Sequence, residues 1–330
     1  MIGLIYSERG FFNDWVKICQ NNNIQYKVVY IDSNNLIDEI KVCDHILWNW
    51  YHDEPFNSLF SKKINILLSS HYNSNIYPDI KTIQTYDDKL LQKYIFELYD
   101  IKHPKTDVFY KKEEALDYLN KTKFPLIFKL SSGAGSYNVK KINNLIEGKK
   151  IIRKSFGKGF KKIDRYTLFK DAMSGIDSFY SKLKAFYRLF YKTEFEKVSP
   201  REKKYVIFQK FIPNTSYDIR IIVVFDKAIG IIRYNRENDF RASGSGLINF
   251  DASLIPESVI RDSFKISKKL QTQTLALDFL VDENNHKVIE VSYAFSNDLY
   301  LDCQGYWTED LKFTKSKIKI AEWILNGLIK

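Results

Sequence analysis

The sequence predicts a mixed α/β protein, with an α/β opening followed by α+β lobes. Three observations carry this. A strand–helix–strand pattern opens the chain, strand and helix runs alternate through the middle, and strand runs crowd the last third. A chain of 330 residues exceeds one ordinary core and suits two or three lobes.

The elements follow in order. Residues 2–6 (IGLIY) and 26–31 (YKVVYI) are short β-branched runs. Between them Phe12, Trp15, Val16 and Cys19 recur at helical spacing, giving a β-α-β start and a small parallel sheet. Residues 45–48 and 64–69 are the next strand candidates, which closes a first lobe at 1–83. Asp87 or Asp88 can cap a helix bearing Leu90, Leu91, Tyr94, Ile95 and Leu98, and Pro104 ends it. TDVFY and PLIFKL read as strands around the helix EEALDYLNK, and NVKKI as a returning strand. This gives a second lobe, 84–205, with an inserted segment at about 145–204. The third lobe, 206–330, holds YVIFQKFI, YDIRIIVVF, AIGIIRYN, LALDFLVD and KVIEVSYA, with helices at 257–271 and 310–329. It reads as an antiparallel sheet with flanking helices.

Composition narrows the function classes. Hydrophobic residues at 45% and charged residues at 28% fit a folded soluble protein. No apolar run reaches about 18 residues, which argues against a membrane span. The opening MIGLIYSERG lacks a basic stretch followed by a long apolar one, so no signal peptide is expected. Cys19, Cys43 and Cys303 are far apart and lack metal-ligand spacing, which fits a reduced, cytoplasmic setting. The net charge of +11 is local: residues 140–204 hold 19 Lys and Arg against 7 Asp and Glu, and the remainder 32 against 33. A chain-wide nucleic-acid surface is therefore not expected.

Three motifs carry chemistry. Phe128-Lys129 leads into Ser131-Ser132-Gly133-Ala134-Gly135-Ser136, an ammonium beside a small-residue loop whose amides can approach a phosphate. It is not a P-loop, and read alone it is equally a hairpin with a surface lysine. Asp278 and Glu290 lie in apolar strand runs joined by DENNHK, so antiparallel pairing sets two carboxylates side by side. Such a pair suits Mg²⁺, or else each acid pairs with a basic side chain. Arg220, Arg233, Arg236 and Arg241 form the third set, Arg220 sharing a strand face with Asp218. Guanidinium forks suit phosphate and carboxylate, although each arginine also fits an ordinary salt bridge.

Taken together and in order, these blocks resemble the ATP-grasp superfamily, in particular its RimK-like branch of carboxylate–amine ligases. The resemblance runs over about 84–300, through DDK…IKHPKT, FPLIFKLSSGAGSYNV, YVIFQKFIPNTSYDIR, GIIRYNRENDFRASGSG and LALDFLVDENNHKVIEVS. It implies a Rossmann-like N-terminal lobe and two α+β lobes clasping ATP. It implies that Lys89 and Lys129 contact phosphates, and that the loop with Ser132, Gly133 and Gly135 closes over them. Gln209, Lys210, Phe211 and Ile212 would meet the adenine. Arg220 and Arg241 would bind phosphate or the carboxylate and its acyl phosphate. Asp278 and Glu290 would hold Mg²⁺, or Mn²⁺ in its place, with Ser292 where the family usually has Asn. Lys210 stands where the family favours Glu, and Ser243 where Asn often follows the arginine.

The implied chemistry is ATP-dependent amide formation between small-molecule carboxylate and amine substrates, through an acyl phosphate. An amino acid, a peptide or a surface-polysaccharide precursor are the acceptors considered. A phosphotransferase and a nonenzymatic nucleotide-binding regulator are the alternatives. His71 and His103 are the histidines available as bases, and lone histidines are ordinarily structural. In the insertion, residues 176–192 place Phe179, Leu183, Phe186 and Phe190 near one helical face among Lys182, Lys184, Arg188 and Lys192. Such a helix docks on an anionic membrane face, binds an acidic polymer, covers the site, or packs its stripe on the protein body. Oligomeric state is not legible.

Overall fold

The chain begins with a parallel sheet. β1 (Ile2–Ile5), β2 (Tyr26–Val29), β3 (His45–Leu47) and β4 (Ile76–Tyr77) pair in the order β2-β1-β3-β4. Helices α1 (Phe12–Asn21), α2 (Leu36–Lys41), α3 (Lys62–Tyr72) and α4 (Ile80–Ile83) connect and follow the strands. α1 buries Phe12, Trp15 and Cys19, the face its spacing predicts. This computed structural model describes all residues except 52–53, 73–74, 134–137, 164, 167–168, 170–172, 174–178, 214, 237–238, 243 and 283–284.

Residues 64–69, expected as a strand, lie in α3. The run is short and apolar, so periodicity cannot separate the two states. Tertiary contacts select the helix: Asn65, Leu68 and Ser69 are buried, and the Asn65 amide donates to the Pro78 carbonyl at 2.8 Å.

α5 (Lys89–Leu98) starts at Asp88, whose carboxylate accepts from the Leu91 amide at 3.0 Å. Its buried face is Lys89, Gln92, Ile95 and Phe96, not the expected leucine and tyrosine stripe; Leu98 is exposed. Polar residues occupy that face because the helix packs beside the site described below.

The second sheet is antiparallel, with order β5-β8-β6-β7. It comprises β5 (Thr106–Phe109), β6 (Leu126–Lys129), β7 (Lys140–Ile142) and, later in the chain, β8 (Val206–Lys210). α6 (Lys112–Lys121) and α7 (Leu145–Phe156) cover it, and Ala115, Leu119, Phe128, Ile152, Phe160 and Phe208 share its core. Two boundaries change here. β8, expected in the third lobe, is a central strand of the second sheet. α7 belongs to this core rather than to the insertion, because Ile152 is fully buried in it. A bridge between Phe160 and Glu202 closes the stem, so the inserted part is 161–201. Within it lie α8 (Phe179–Phe190) and α9 (Glu194–Val198).

The third sheet has seven antiparallel strands. β9 (Tyr217–Val224), β10 (Lys227–Tyr234) and β11 (Ile248–Asn249) precede α10 (Glu257–Leu270). β12 (Thr274–Asp282), β13 (Asn285–Ser292), β14 (Gly305–Thr308), β15 (Phe313–Lys315) and α11 (Ile320–Ile329) follow. The path is β13-β12-β9-β10-β14-β15, with β11 on β10. The helix expected at 310–329 begins only at Ile320, since Gly305–Lys315 form a hairpin that extends the sheet.

Strand alternation divides the third sheet into two faces. Ile219, Ile221, Val223, Leu275, Leu277 and Phe279 pack with α10 residues Val259, Ile260 and Phe264. On the other face, Ile222, Val224, Ile229, Ile231 and Ala276 join the core of the first sheet and α11. Toward the second sheet, that same face turns polar.

Candidate nucleotide site in the cleft between two sheets

The polar patch follows from period-two strand geometry. Asp218 and Arg220 on β9, Arg233 on β10 and Asp278 on β12 occupy the same sheet face. Register places Asp278 opposite Arg220 and Asp218 opposite Arg233. The Arg220 fork donates to both Asp278 oxygens at 2.6 and 2.7 Å. Arg233 grips Asp218 in the same way at 2.6 and 2.7 Å and reaches Asp278 at 2.9 Å. Two arginines thus neutralise two buried aspartates. Burial works against the Asp278 charge, but both guanidinium groups outweigh it and hold its pKa well below the usual range. Asp218 shares its arginine, and burial pushes its carboxyl up to about 6.

Beside this network the β12–β13 ladder carries a bulge. Asp278 pairs with Glu290 and Phe279 with Val288, so Ile289 has no opposite residue. Its carbonyl accepts from the Lys129 ammonium at 3.2 Å. The bulge therefore ties the end of β6 to β13 across the cleft. Glu290, half-buried, pairs with Lys89 at 3.1 Å. Lys89 also donates to the Gly133 carbonyl at 2.7 Å. Gln92 completes this wall: its side chain donates to Val291 O at 2.9 Å and accepts from Val291 N at 3.3 Å.

The two lysines are shifted in opposite directions. Burial lowers Lys129 most, and nearby Lys89 adds to the effect, so its pKa falls to about 8 despite Glu290 and Asp278. Lys89 is equally buried, yet Glu290, Asp87 and Glu202 outweigh that cost and hold it above the ordinary lysine value. Cationic side chains gathered here suit a polyanion, which would restore full protonation of Lys129.

The loop after β6 is organised by acids from two sides. Gly133 has φ +116°, a conformation that favours glycine, and its amide donates to Asp87 at 2.5 Å. The Ser131 hydroxyl donates to Asp88 at 2.8 Å, and the Lys89 amide to Ser131 O at 2.8 Å. The Ser131 and Ser132 amides donate to the Glu202 carboxylate at 3.0 and 3.2 Å. Gly135 lies outside the described residues, as does Ser243.

A cleft open to solvent separates the second and third sheets. Ile127, Val139, Leu280, Ile289, Phe211 and Phe240 make its apolar walls. Lys129, Gln209, Lys210, Ile212, Asp218, Arg241, Asp278 and Glu290 also line it. A planar aromatic base suits the apolar part, and phosphates the lysine end. Arg241 is bound to Asp239 at 2.7 Å on the cavity rim. The Gln209 side chain is committed to the Thr106 hydroxyl at 2.9 Å. Ser292 shares a strand face with Glu290 but is turned to its own chain, donating to Ala294 O and accepting from Ala294 N, both at 3.1 Å.

Two carboxylates on paired strands fit a hard cation that keeps waters and phosphates as further ligands. Among the described residues no group of three or more His, Cys, Asp or Glu could hold a metal by itself. Glu290 is the freer of the two acids, because both Asp278 oxygens already serve arginines.

The third lobe and its approach match a family model: residues 191–298 fit the RimK-like ATP-grasp domain. Over these residues the chain is similar to RimK-like ATP-grasp domains. Solved ATP-grasp structures align along nearly its whole length. A RimK domain protein, ATP-grasp, from Sphaerobacter thermophilus shares 11% identity at TM-score 0.58, covering 100% of both chains. A biotin carboxylase from Campylobacter jejuni shares 14% at TM-score 0.59, covering 99% of this chain and 70% of the other. A D-alanine–D-alanine ligase from Bacillus anthracis, complexed with ATP, shares 18% at TM-score 0.51, covering 88% and 85%. At these identities the likeness is one of fold, and the ATP-grasp fold is the one observed. A search of curated protein sequences returns no match.

Lys129, Lys210, Phe211, Ile212, Arg241, Asp278 and Glu290 line the cleft, with Lys89 on Glu290, Gly133 on Lys89 and Arg220 on Asp278. Reading residue types placed Asp87 or Asp88 only as a helix cap and Asp218 only on the strand face of Arg220, and it missed Gln92 and above all Glu202. A carboxylate in the lysine-rich run PREKKY gives no signal of its role in the linear sequence. His103 stands apart, its Nδ1 2.8 Å from Ile101 O. Cys19, Cys43 and Cys303 are buried free thiols, and burial raises the pKa of each.

Proposed function

We propose that this chain is an ATP-dependent carboxylate–amine ligase working through an acyl phosphate. The observation that carries the reading is the cleft itself. A slot of Phe211, Ile212, Leu280 and Ile289 adjoins buried Lys129 and the Asp278–Glu290 pair, with buried Lys89 behind Glu290. In this reading Lys129 and Lys89 hold the phosphates, and Arg241 orients the carboxylate substrate or its acyl phosphate. Arg220 keeps Asp278 ionised and placed. Asp278 and Glu290 would hold Mg²⁺ or Mn²⁺, which when bound neutralises charge along the phosphates. The substrate carboxylate attacks the γ-phosphorus, ADP leaves, and the amine then displaces phosphate. No covalent enzyme nucleophile is needed. The ligases among the fold relatives support C–N bond formation as the class.

The test is ADP release with Mg²⁺ and ATP over carboxylates crossed with amines, including amino acids, peptides and amino-sugar precursors of surface polysaccharides. ADP with inorganic phosphate and an amide supports ligation, whereas a stable phosphorylated product makes the chain a phosphotransferase. Glu290→Gln should abolish turnover, and because it removes the carboxylate paired with buried Lys89, a urea melt checks that the variant is folded. ATP binding without turnover on any pair would favour a regulatory role.

A second element of the reading concerns location. Leu183, Phe186, Tyr187, Phe190 and Tyr191 on and just after α8 are each at least half exposed. Of the stripe read from sequence, Leu183, Phe186 and Phe190 are thus exposed, while residues 176–178 and the side chain of Phe179 lie outside the described residues. Lys184, Arg188 and Lys192 are exposed beside the stripe. Aromatic rings flanked by cations suit the headgroup layer of an anionic membrane, placing the enzyme on its inner face. No described helix is long and apolar enough to cross a membrane. Anionic vesicles should pull down the intact chain but not a Phe186→Asp, Phe190→Asp variant; equal, negligible recovery of both removes the idea.

A further inference from the structure

We propose that Glu202 is a built-in surrogate for a nucleotide phosphate, seated in the anion nest of the Ser131–Gly133 loop and displaced when nucleotide enters. This rests on the reading of that loop as the phosphate loop. Four donors converge on one carboxylate: the Ser131 amide at 3.0 Å, the Ser132 amide at 3.2 Å, and the Ser132 and Tyr205 hydroxyls in closer contact. Successive backbone N–H groups of this kind form a concavity for anions. A carboxylate accepts the same charge-assisted hydrogen bonds as a phosphate oxygen.

The surroundings fit a surrogate rather than an ordinary surface pair. No lysine or arginine holds Glu202 within ion-pair distance among the described residues. Its partners are the loop donors, yet its charge helps to keep Lys89 protonated. It thereby supplies to Lys89 the negative charge that a phosphate would bring.

The backbone of Glu202 is fixed independently of its side chain. Its amide and carbonyl pair with Phe160 at 2.9 and 2.8 Å. Neighbouring Arg201 donates to Lys158 O and Gly159 O at 2.6 and 2.7 Å. The carboxylate can therefore leave the loop by side-chain rotation, without opening the stem. The same anchoring sets the exit of the 161–201 insertion directly beside the phosphate loop.

Isothermal titration of Mg²⁺–ATP into wild type, Glu202→Gln and Glu202→Asp decides the matter. Glu202→Gln removes the competing charge and should bind ATP roughly tenfold tighter, the scale of one charge-assisted hydrogen bond. Glu202→Asp, one methylene shorter, withdraws from the amides and should fall between, and it decides alone if the glutamine variant does not fold. Binding by the variants where wild type shows none also supports the surrogate. Equal or weaker binding by both variants, with wild type binding normally, overturns it and leaves the nucleotide site intact. Absence of binding by all three overturns both.

Discussion

On the proposed reading, in which Lys129 holds phosphate, nucleotide affinity should depend on pH in a window where few other groups titrate. The free-state Lys129 pKa of about 8 comes chiefly from burial, with Lys89 nearby. Bound phosphates would stabilise the ammonium and raise that pKa, so binding takes up a proton whenever Lys129 starts neutral. The sign follows: affinity is full below the free-state pKa and declines as pH rises through it. At pH 7 about nine-tenths of Lys129 is protonated, and at pH 9 about one-tenth. The expected loss is therefore roughly tenfold, about 1.4 kcal/mol. Phosphate groups themselves, with a second pKa of about 6, contribute little over that range. Titration calorimetry with ATP at pH 7, 8 and 9, in two buffers of different ionisation enthalpy, reads both affinity and proton uptake. About half a proton should be taken up at pH 8. Lys129→Gln should bind more weakly and show no slope. A flat wild-type profile, or the same slope in Lys129→Gln, would refute the reasoning.

Two further expectations concern stability. Arg233→Met strips Asp218 of its bidentate partner while the carboxyl stays buried, at a cost of about 3–5 kcal/mol. Because the stranded acid can protonate, with a folded pKa above its unfolded one, the loss should be smaller at pH 5 than at pH 7.5; urea melts showing under ~1 kcal/mol, or no pH dependence, contradict this. Gly10→Ala should cost about 2 kcal/mol or more, because Gly10 has φ +82° and an added Cβ would lie 1.8 Å from Oδ1 of buried Asn49. A urea midpoint equal to wild type would show that Asn49 moves aside freely.

Much of the site was legible because its parts obey local rules. Asp278 and Glu290 sit in strand runs joined by a short turn, and antiparallel pairing follows from that pattern. Asp218 and Arg220 share a face because strands alternate. The misreadings share one cause. Residues 64–69, β8 and α7 each carry an apolar pattern that fits more than one partner, and only packing chooses. α5 shows the same limit: Lys89 and Gln92 are buried for the sake of Glu290 and Val291, which lie some 200 positions away.

The sequence by itself determined the class of most segments, the three sheets in outline, and the candidate residues whose spacing depends on near neighbours. Tertiary structure decided their charge and their company. It gave Asp278 to two arginines, lowered Lys129 by burying it, left Phe186 and Phe190 exposed, and seated Glu202 in the loop of Ser131 and Ser132. The physical reason is range. Propensity and periodicity act over a few residues, whereas desolvation and ion pairing depend on groups brought together from distant parts of the chain.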